Sequence, residues 1–473
     1  MPRLVCLCFV FIALSVPAAA QEVRFELGQR LRLFERALDR HPQAEARRRA
    51  LEPLMQATPT FFQGRLADAA GLLDRARLLL AGEADDANLW AESLVCRPAK
   101  RLLDPTEKQL TCKIENFYTV KSPQPDRVNL RLSLLLADKQ LATVRADLEK
   151  LPVEVRLPVK GLAEGDYLLR SEVLIAGKPA AVSEQQVSLV NNLSARLNAL
   201  REGQASLPEA RPTTERATLS RLVGILSDLA DGRTQETNYP AARLVAEAEQ
   251  LLKAIQAGQR YYTPDKAGQF WLTVAEEQSS FPVRLQVPAE AAKGKALPLV
   301  VAMHGAGGSE NMFFDGYGDG LVAKLAAKRG WFLVTTRSPL FAFGGGVDVP
   351  RLVDSLAKRY PVDTSKVFLV GHSMGAAQAV ATAGRQPERF RAVAALGGGG
   401  GFKASEAIRD LPFFVGIGER DFALNGARNL HAGLVKAGVK KAVLKRYPDV
   451  EHLTIVQIAL PEVYAFFDET LKK

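Results

Sequence analysis

A serine between two glycines stands where an apolar run is followed at once by a helix-forming run. The pentapeptide Gly371-His372-Ser373-Met374-Gly375 comes directly after the apolar residues 367–370 and directly before residues 376–380. A strand–serine–helix turn is strained and leaves no room for side chains beside the serine, so glycine is needed on both sides. The turn also aims the N-terminus of the following helix at the serine oxygen. This context predicts that Ser373 is a nucleophile rather than a structural serine.

A serine hydroxyl is a poor nucleophile until a base takes its proton. Where the nucleophile lies on such a turn, the chain order is serine, acid, histidine. Only His431 and His452 follow Ser373 in the chain. His431 lies inside a helical run, where a surface or packing role is expected. His452 follows the last predicted strand and precedes the C-terminal helix, so His452 is predicted to be the base.

The acid is predicted to be Asp421, which follows the apolar strand 413–417 through a short turn. A carboxylate at a separate strand end can meet the far nitrogen of the imidazole, whereas a sequence neighbour of the histidine usually points elsewhere. Glu419, two residues before Asp421, is the main alternative. Asp449 and Glu451, both close to His452 in the chain, are the others.

Two backbone N–H groups are expected to stabilise the oxyanion, those of Met374 and Ala306. Ala306 belongs to the turn His304-Gly305-Ala306-Gly307-Gly308, directly after a predicted strand, in which His304 is expected to order the loop. Phe341 and Phe343 follow another strand end and either line an acyl or aryl pocket or serve ordinary packing. The sequence has no metal-ligand cluster and no phosphate-binding glycine loop followed by lysine, so it implies no cofactor and no metal.

Strands alternate with helices from residue 269 onward. Strands are predicted at 270–275, 281–287, 297–303, 331–335, 366–370, 392–396, 413–417 and 442–446. Near-continuous apolar strands of this kind belong in a parallel sheet that helices cover on both faces. The pattern predicts an α/β fold with a doubly wound, mostly parallel sheet, whose functional residues gather at the carboxyl ends of the strands.

Together these residues resemble the esterase branch of the α/β-hydrolases, which includes polyhydroxyalkanoate depolymerases, feruloyl esterases and dienelactone hydrolases. Segment 362–375 carries the likeness, and the resemblance covers the C-terminal part of the chain. The intervals of 48 residues from Ser373 to Asp421 and 31 from Asp421 to His452 are similar to the compact dienelactone-hydrolase layout, with serine in place of its cysteine. The resemblance implies a serine hydrolase that cleaves carboxylic esters, of a small molecule or a polymer, through an acyl-enzyme intermediate.

Two other functions are weighed against this one. A serine peptidase of the prolyl-oligopeptidase type shares the architecture, but such enzymes usually have a longer interval between serine and acid. They also carry an N-terminal β-propeller, and the preceding residues show no blade repeat. A non-catalytic binding protein on a hydrolase scaffold is the second alternative, and the intact set of Ser373, Asp421 and His452 argues against it.

The first twenty residues have the order of a cleaved signal peptide. Arg3 is followed by a run of 13 mostly apolar residues and then by Ala18-Ala19-Ala20. The run is shorter than the roughly 20 residues of a spanning helix. Residues 1–20 are therefore predicted to be a signal peptide, and the protein is predicted to be secreted or periplasmic with no membrane span. In an oxidising compartment, Cys96 and Cys112 are expected to form a disulfide.

The residues between the signal and the hydrolase segment divide by pattern. Residues 21–88 predict helices broken at Pro42 and Pro59, residues 89–190 predict a small β-sandwich-like domain, and residues 191–260 predict helices or a spacer, before a catalytic domain at 261–473. The N-terminal region is a candidate for binding a polymer or a protein. The net charge of +10 is spread along the chain without a basic tract, which argues against a nucleic-acid partner.

Overall fold

The computed structural model describes residues 18–209, 212–276, 279–338 and 347–472. The predicted signal peptide lies outside these residues except for positions 18–20, which begin the first helix. The N-terminal helices are α1 (Ala18–Arg40), α2 (Ala44–Phe62), α3 (Leu66–Ala81) and α4 (Asp86–Glu92). Pro42 separates α1 from α2, but the predicted break at Pro59 is wrong because Pro59 lies inside α2. The buried face of α2 packs against α1 and α3, and this packing overrides the local preference of proline.

Residues 94–189 form two facing β-sheets, as the alternating pattern predicts. Their strands are β1 (Leu94–Pro98), β2 (Leu102–Leu103), β3 (Gln109–Asn116), β4 (Val128–Leu136), β5 (Lys139–Asp147), β6 (Val153–Pro158), β7 (Gly165–Ile175) and β8 (Lys178–Leu189). The sheet orders are β1-β3-β6 and β2-β8-β7-β4-β5, and the two sheets enclose one apolar core. Cys96 on β1 and Cys112 on β3 are both buried and both free, so the structure does not contain the predicted disulfide.

The next helices, α5 (Leu193–Ala205), α6 (Thr214–Ala230) and α7 (Ala241–Gln256), lie against the C-terminal sheet. Their apolar residues share one core with the first strands of that sheet; for example, Leu222 and Leu251 belong to the same buried cluster as Leu272. The sequence leaves the role of residues 191–260 open. The structure makes them part of the layer that covers the sheet.

The C-terminal sheet has eight strands: β9 (Gly268–Glu276), β10 (Ser279–Val287), β11 (Leu297–Met303), β12 (Phe332–Thr336), β13 (Val362–His372), β14 (Ala392–Leu396), β15 (Phe413–Gly418) and β16 (Ala442–Tyr447). Their order is β16-β15-β14-β13-β11-β12-β10-β9. The strands from β16 to β12 run parallel, and β10 and β9 join antiparallel. The predicted doubly wound, mostly parallel α/β sheet is confirmed.

Helices cover both faces of this sheet. They are α8 (Met312–Asp315), α9 (Tyr317–Lys328), α10 (Val349–Ala357), α11 (Met374–Arg385), α12 (Leu424–Lys436) and α13 (Ile455–Leu471). Residues of α11 and α12 pack into one buried cluster, while residues of α9 and α13 pack into another. Among the helices of the described ranges, none has the length and apolar character that a membrane crossing requires.

The strands β11, β13 and β15 all run parallel in this sheet. Their carboxyl ends therefore lie at the same edge of the sheet.

Candidate active site

Ser373 lies at a strained turn between β13 and α11. Its backbone has φ 55° and ψ −115°, and α11 begins at the next residue, Met374. A Cβ atom on Gly371 would lie 2.1 Å from the carbonyl oxygen of Gly375, and one on Gly375 would lie 2.0 Å from that of Met303. Both flanking positions therefore exclude every side chain, which is the steric requirement expected from the pentapeptide.

Ser373, His452 and Asp421 come together in a chain of hydrogen bonds. Ser373 Oγ lies 2.9 Å from His452 Nε2, and His452 Nδ1 lies 2.9 Å and 3.0 Å from the two carboxylate oxygens of Asp421. Asp421 and His452 are each only 5% exposed, whereas Ser373 is partly open to the adjoining cavity. His431 lies apart from this group, on α12, with its Nε2 3.3 Å from the carbonyl oxygen of Ala442.

The other carboxylates weighed from the sequence bind elsewhere. Glu419 pairs with Arg446, Asp449 pairs with Arg48, and Glu451 accepts the backbone N–H groups of Leu453 and Thr454. Of these candidates, Asp421 is the one bonded to the imidazole of His452. A carboxylate in this position fixes the tautomer in which Nε2 accepts the serine proton.

The backbone N–H groups of Ala306 and Met374 have no acceptor among the described residues. Ala306 follows β11 and lines the same cavity as Ser373, and Met374 directly follows Ser373. His304 orders this loop. Its Nδ1 lies 2.7 Å from the carbonyl oxygen of Gly305, its Nε2 accepts the N–H of Ser338 at 3.1 Å, and burial lowers its pKa. The loop is therefore held by a neutral imidazole while the N–H of Ala306 stays unpaired.

A second group of hydrogen bonds, which the sequence analysis missed, joins this loop to the catalytic histidine candidate. Tyr317 Oη accepts the N–H of Gly305 at 3.5 Å and lies 2.7 Å from His372 Nδ1. His372 Nε2 lies 2.9 Å from the carbonyl oxygen of His452. Burial lowers the pKa of His372 well below its ordinary value, so its ring is neutral, with Nδ1 accepting from Tyr317 and Nε2 donating to His452. No spacing in the sequence indicates Tyr317.

The N-terminal helices form part of the wall of the cavity at Ser373. The cavity has a volume of about 180 Å³, and α1, α2 and α3 line it together with the oxyanion loop and His452. Arg24 on α1 donates to the carbonyl oxygen of Gly307 at 2.7 Å, and the ring of Phe61 on α2 lies against Gly307. Leu453, next to His452, packs against the core of α1–α3. The helical pattern of residues 21–88 predicts an ordinary core and gives no sign of this placement.

Phe341 and Phe343 lie outside the described residues, so their role in an acyl pocket stays a prediction. At the mouth of the site the structure offers another aromatic ring: Phe422 is 66% exposed, and its ring centroid lies 4.3 Å from that of His452. Over the ranges that the structure describes, no three His, Cys, Asp or Glu side chains are arranged to hold a metal ion.

The family model described as "Putative esterase" matches residues 350–399, which include Ser373 and all of α11. No curated protein matches the chain significantly. Among solved structures, an S-formylglutathione hydrolase from Agrobacterium tumefaciens is 16% identical, with a TM-score of 0.35 and coverage of 43% of this chain and 94% of its own. A ferulic acid esterase is 17% identical (TM-score 0.36; 43% and 98% coverage). A feruloyl esterase module from Clostridium thermocellum, complexed with sinapinate, is 15% identical (TM-score 0.32; 41% and 83%).

The sheet and the site together define a serine hydrolase of the α/β-hydrolase class. Within that class, the matched family is one of esterases, which bears out the resemblance predicted from the nucleophile segment. The match over residues 350–399, which include Ser373, therefore supports the prediction of an enzyme that acts on carboxylic esters.

Proposed function

We propose that the protein hydrolyses carboxylic esters through an acyl-enzyme intermediate on Ser373. The observation that carries the proposal is the hydrogen-bonded chain from Asp421 through His452 to Ser373 Oγ. It lies beside two backbone N–H groups that have no acceptor in the described part of the chain. The esterase match over residues 350–399 supports an ester rather than a peptide as the substrate.

Each step has a residue in place. Ser373 Oγ attacks the ester carbonyl carbon while His452 Nε2 takes its proton, and the N–H groups of Met374 and Ala306 bind the oxyanion. His452 then gives the proton to the departing alcohol. Water, activated by the same imidazole, hydrolyses the acyl-enzyme and frees the acid. Asp421 holds the ring and stabilises the imidazolium that forms in both halves of the reaction.

The cavity favours a small-molecule ester. Because α1 and α2 lie over the oxyanion loop, an acyl group that reaches Ser373 must fit between these helices and the sheet edge. The wall is largely apolar, as in most sites for small organic ligands.

A fluorophosphonate probe and p-nitrophenyl acetate test the proposal. We expect stoichiometric labelling of the wild type, no labelling of Ser373→Ala, and a loss of about a thousandfold or more in ester hydrolysis for that variant. Ser309 also lines the cavity, so Ser309→Ala is the matched control and should still be labelled. Equal labelling of Ser373→Ala, or cleavage of a chromogenic peptide without cleavage of esters, would refute the proposal.

We also propose that the protein is exported behind residues 1–20 and that Cys96 and Cys112 become paired in an oxidising compartment. One observation supports pairing: the cysteines lie on neighbouring strands, Cys96 on β1 and Cys112 on β3, and both are buried. The mature protein, isolated from the culture fluid or periplasm, should begin near Gln21. Its mass should increase by about 2 Da on reduction. A mature chain that retains residue 1, or a mass unchanged by reductant, would contradict these proposals.

A further inference from the structure

Arg32 on α1 extends into the cavity that contains Ser373. The residue is partly buried, and its Nη2 atom is fully buried without a hydrogen-bond partner. No ion pair or hydrogen bond joins the side chain of Arg32 to another residue in the ranges that the structure describes. A guanidinium nitrogen that is buried without a partner is costly, so the position favours an anion that enters the cavity.

Two of the carboxylates near Arg32 are paired with other groups: Asp315 pairs with Arg284 and accepts from Thr237, and Glu26 pairs with Arg30. The third, Glu35, accepts the N–H of Gly318 through Oε2, and its Oε1 is buried without a hydrogen-bond partner. A further cation, Arg36, pairs with Asp319. Burial lowers the pKa of Arg32 more than these more distant charges raise it. Among the described residues, no carboxylate therefore lies within ion-pair distance of the Arg32 guanidinium.

Apolar side chains line the cavity together with Arg32. Leu27 and Leu31 on α1 are among its lining residues, as are the residues of the oxyanion loop. Of the two arginines among the described lining residues, Arg24 already donates to Gly307, whereas the side chain of Arg32 remains available to bind a ligand. An ester bound at Ser373 would extend along this apolar wall toward a fixed positive charge.

We propose that Arg32 binds a free carboxylate of the substrate, so that the enzyme acts on esters that carry a carboxylate apart from the scissile bond. The inference rests on the proposed esterase activity and names its substrate class. The planar guanidinium suits a carboxylate because it donates two parallel hydrogen bonds. Arg32 is thus a specificity-determining residue contributed by a helix outside the hydrolase segment.

Matched ester pairs test this on the full-length mature protein. For a carboxylate on the acyl side, the monoethyl esters of glutaric, adipic and suberic acids are compared with neutral ethyl esters of equal chain length. For the alcohol side, 4-acetoxybenzoate is compared with its methyl ester. We expect kcat/KM to favour the carboxylate in at least one arm by about tenfold or more. Arg32→Gln should lower that ratio by about the same factor.

Arg40→Gln is the control, because Arg40 ends the same helix, is exposed, and lies outside the cavity. It removes the same charge and should keep the preference. Arg32→Lys, which keeps the charge without the planar fork, should give an intermediate ratio and serves if Arg32→Gln fails to fold. Neutral esters hydrolysed as fast as the acidic ones in both arms, or a preference retained in Arg32→Gln, would overturn the inference and leave the esterase proposal standing.

A binding measurement separates this inference from catalysis. In Ser373→Ala, adipate or 4-hydroxybenzoate should raise the unfolding temperature, and the rise should vanish when Arg32→Gln is added. If the acids stabilise Ser373→Ala only when Arg32 is present, and the wild type hydrolyses no ester, the carboxylate site is supported and the esterase proposal is refuted. The absence of stabilisation in Ser373→Ala by either acid would count against the site, whatever the wild type hydrolyses.

Discussion

At the scale of single residues, the candidate site depends on which carboxylate orients His452. Two residues apart in the chain, Asp421 and Glu419 have opposite surroundings. Asp421 is buried against the imidazole, and Glu419 pairs with Arg446 at the surface. A buried carboxylate that sets the tautomer affects the rate directly, whereas an exposed ion pair contributes little even to stability.

Asp421→Asn should lower kcat for p-nitrophenyl acetate by about a thousandfold to ten-thousandfold, because the amide favours the wrong tautomer of His452. Glu419→Gln is the matched control and should change kcat by less than about twofold. Steady-state kinetics at several pH values measure both variants. A large loss in Glu419→Gln with a small one in Asp421→Asn would reverse the assignment.

Tyr317 connects the oxyanion loop to His372. Loss of its hydroxyl should therefore lower kcat as well as the free energy of unfolding. Tyr317→Phe removes the acceptor for Gly305 and leaves His372 Nδ1 unpaired. We expect a loss of about 1–3 kcal/mol in the free energy of unfolding and a decrease of about tenfold in kcat.

Tyr464→Phe is the control for this prediction, because Tyr464 is also buried and donates to the carbonyl oxygen of Val322, away from the site. It should lower stability without lowering kcat. If both phenylalanine variants reduce kcat equally, or if neither does, Tyr317 does not position the loop.

At the scale of elements, α1 joins the N-terminal helices to the hydrolase sheet through a buried carboxylate. Glu35 is 1% exposed, its Oε2 accepts the N–H of Gly318, and its backbone oxygen accepts from Gln457. Burial raises the pKa of Glu35 from 4.5 to about 7. Between these pH values the folded chain keeps a proton that the unfolded chain has lost, so this residue's contribution to stability falls as the pH rises.

The free energy of unfolding of the wild type, measured relative to that of Glu35→Gln, should therefore decrease as the pH rises from about 4.5 to about 7. The decrease is at most about 3.4 kcal/mol, since one pKa unit corresponds to about 1.4 kcal/mol. Chemical denaturation at pH 5 and pH 8 measures it. Glu83 is exposed and follows α3, so Glu83→Gln is the control: its free energy of unfolding should depend on pH in the same way as that of the wild type. A wild-type stability that rises relative to Glu35→Gln over this range would contradict the assignment.

The elements that the sequence predicts well are those whose pattern is local. The central strands of the C-terminal sheet, such as β11 and β14, are apolar runs, and the turn at Ser373 has a local steric requirement, so both could be predicted. The cavity wall could not, because α1 contacts the hydrolase segment through residues about 280 to 420 positions away in the chain, such as Arg36 with Asp319 and Glu35 with Gln457. An amphipathic helix shows that one face is buried and not which partner buries it. Arg32 and Tyr317 escaped prediction for the same reason.

At the scale of the whole molecule, the hydrolase core begins before the segment that resembles hydrolases. The helices α5–α7 bury Leu222, Leu226, Leu244 and Leu251 in the core that includes β9 and β10. Each buried leucine contributes roughly 1.5–3 kcal/mol, so four of them are comparable to the entire stability of a typical domain, about 5–15 kcal/mol. A chain that starts at residue 261 leaves this apolar surface open.

Two truncated chains separate the roles of the preceding regions. Residues 261–473 alone should aggregate or lack a cooperative unfolding transition. Residues 191–473 should fold and react with the fluorophosphonate probe, since they keep α5–α7 and the complete set of Ser373, Asp421 and His452.

The longer truncated chain also tests the role of the N-terminal helices. Because residues 191–473 lack α1 and α2, KM for acyl esters should rise and any preference that depends on Arg32 should disappear. Circular dichroism during thermal unfolding and the matched ester pairs measure these effects. Equal cooperativity of the two truncated chains would show that α5–α7 are dispensable. If residues 191–473 have the same KM values as the full-length protein, the N-terminal helices lie beside the cavity without forming its binding surface.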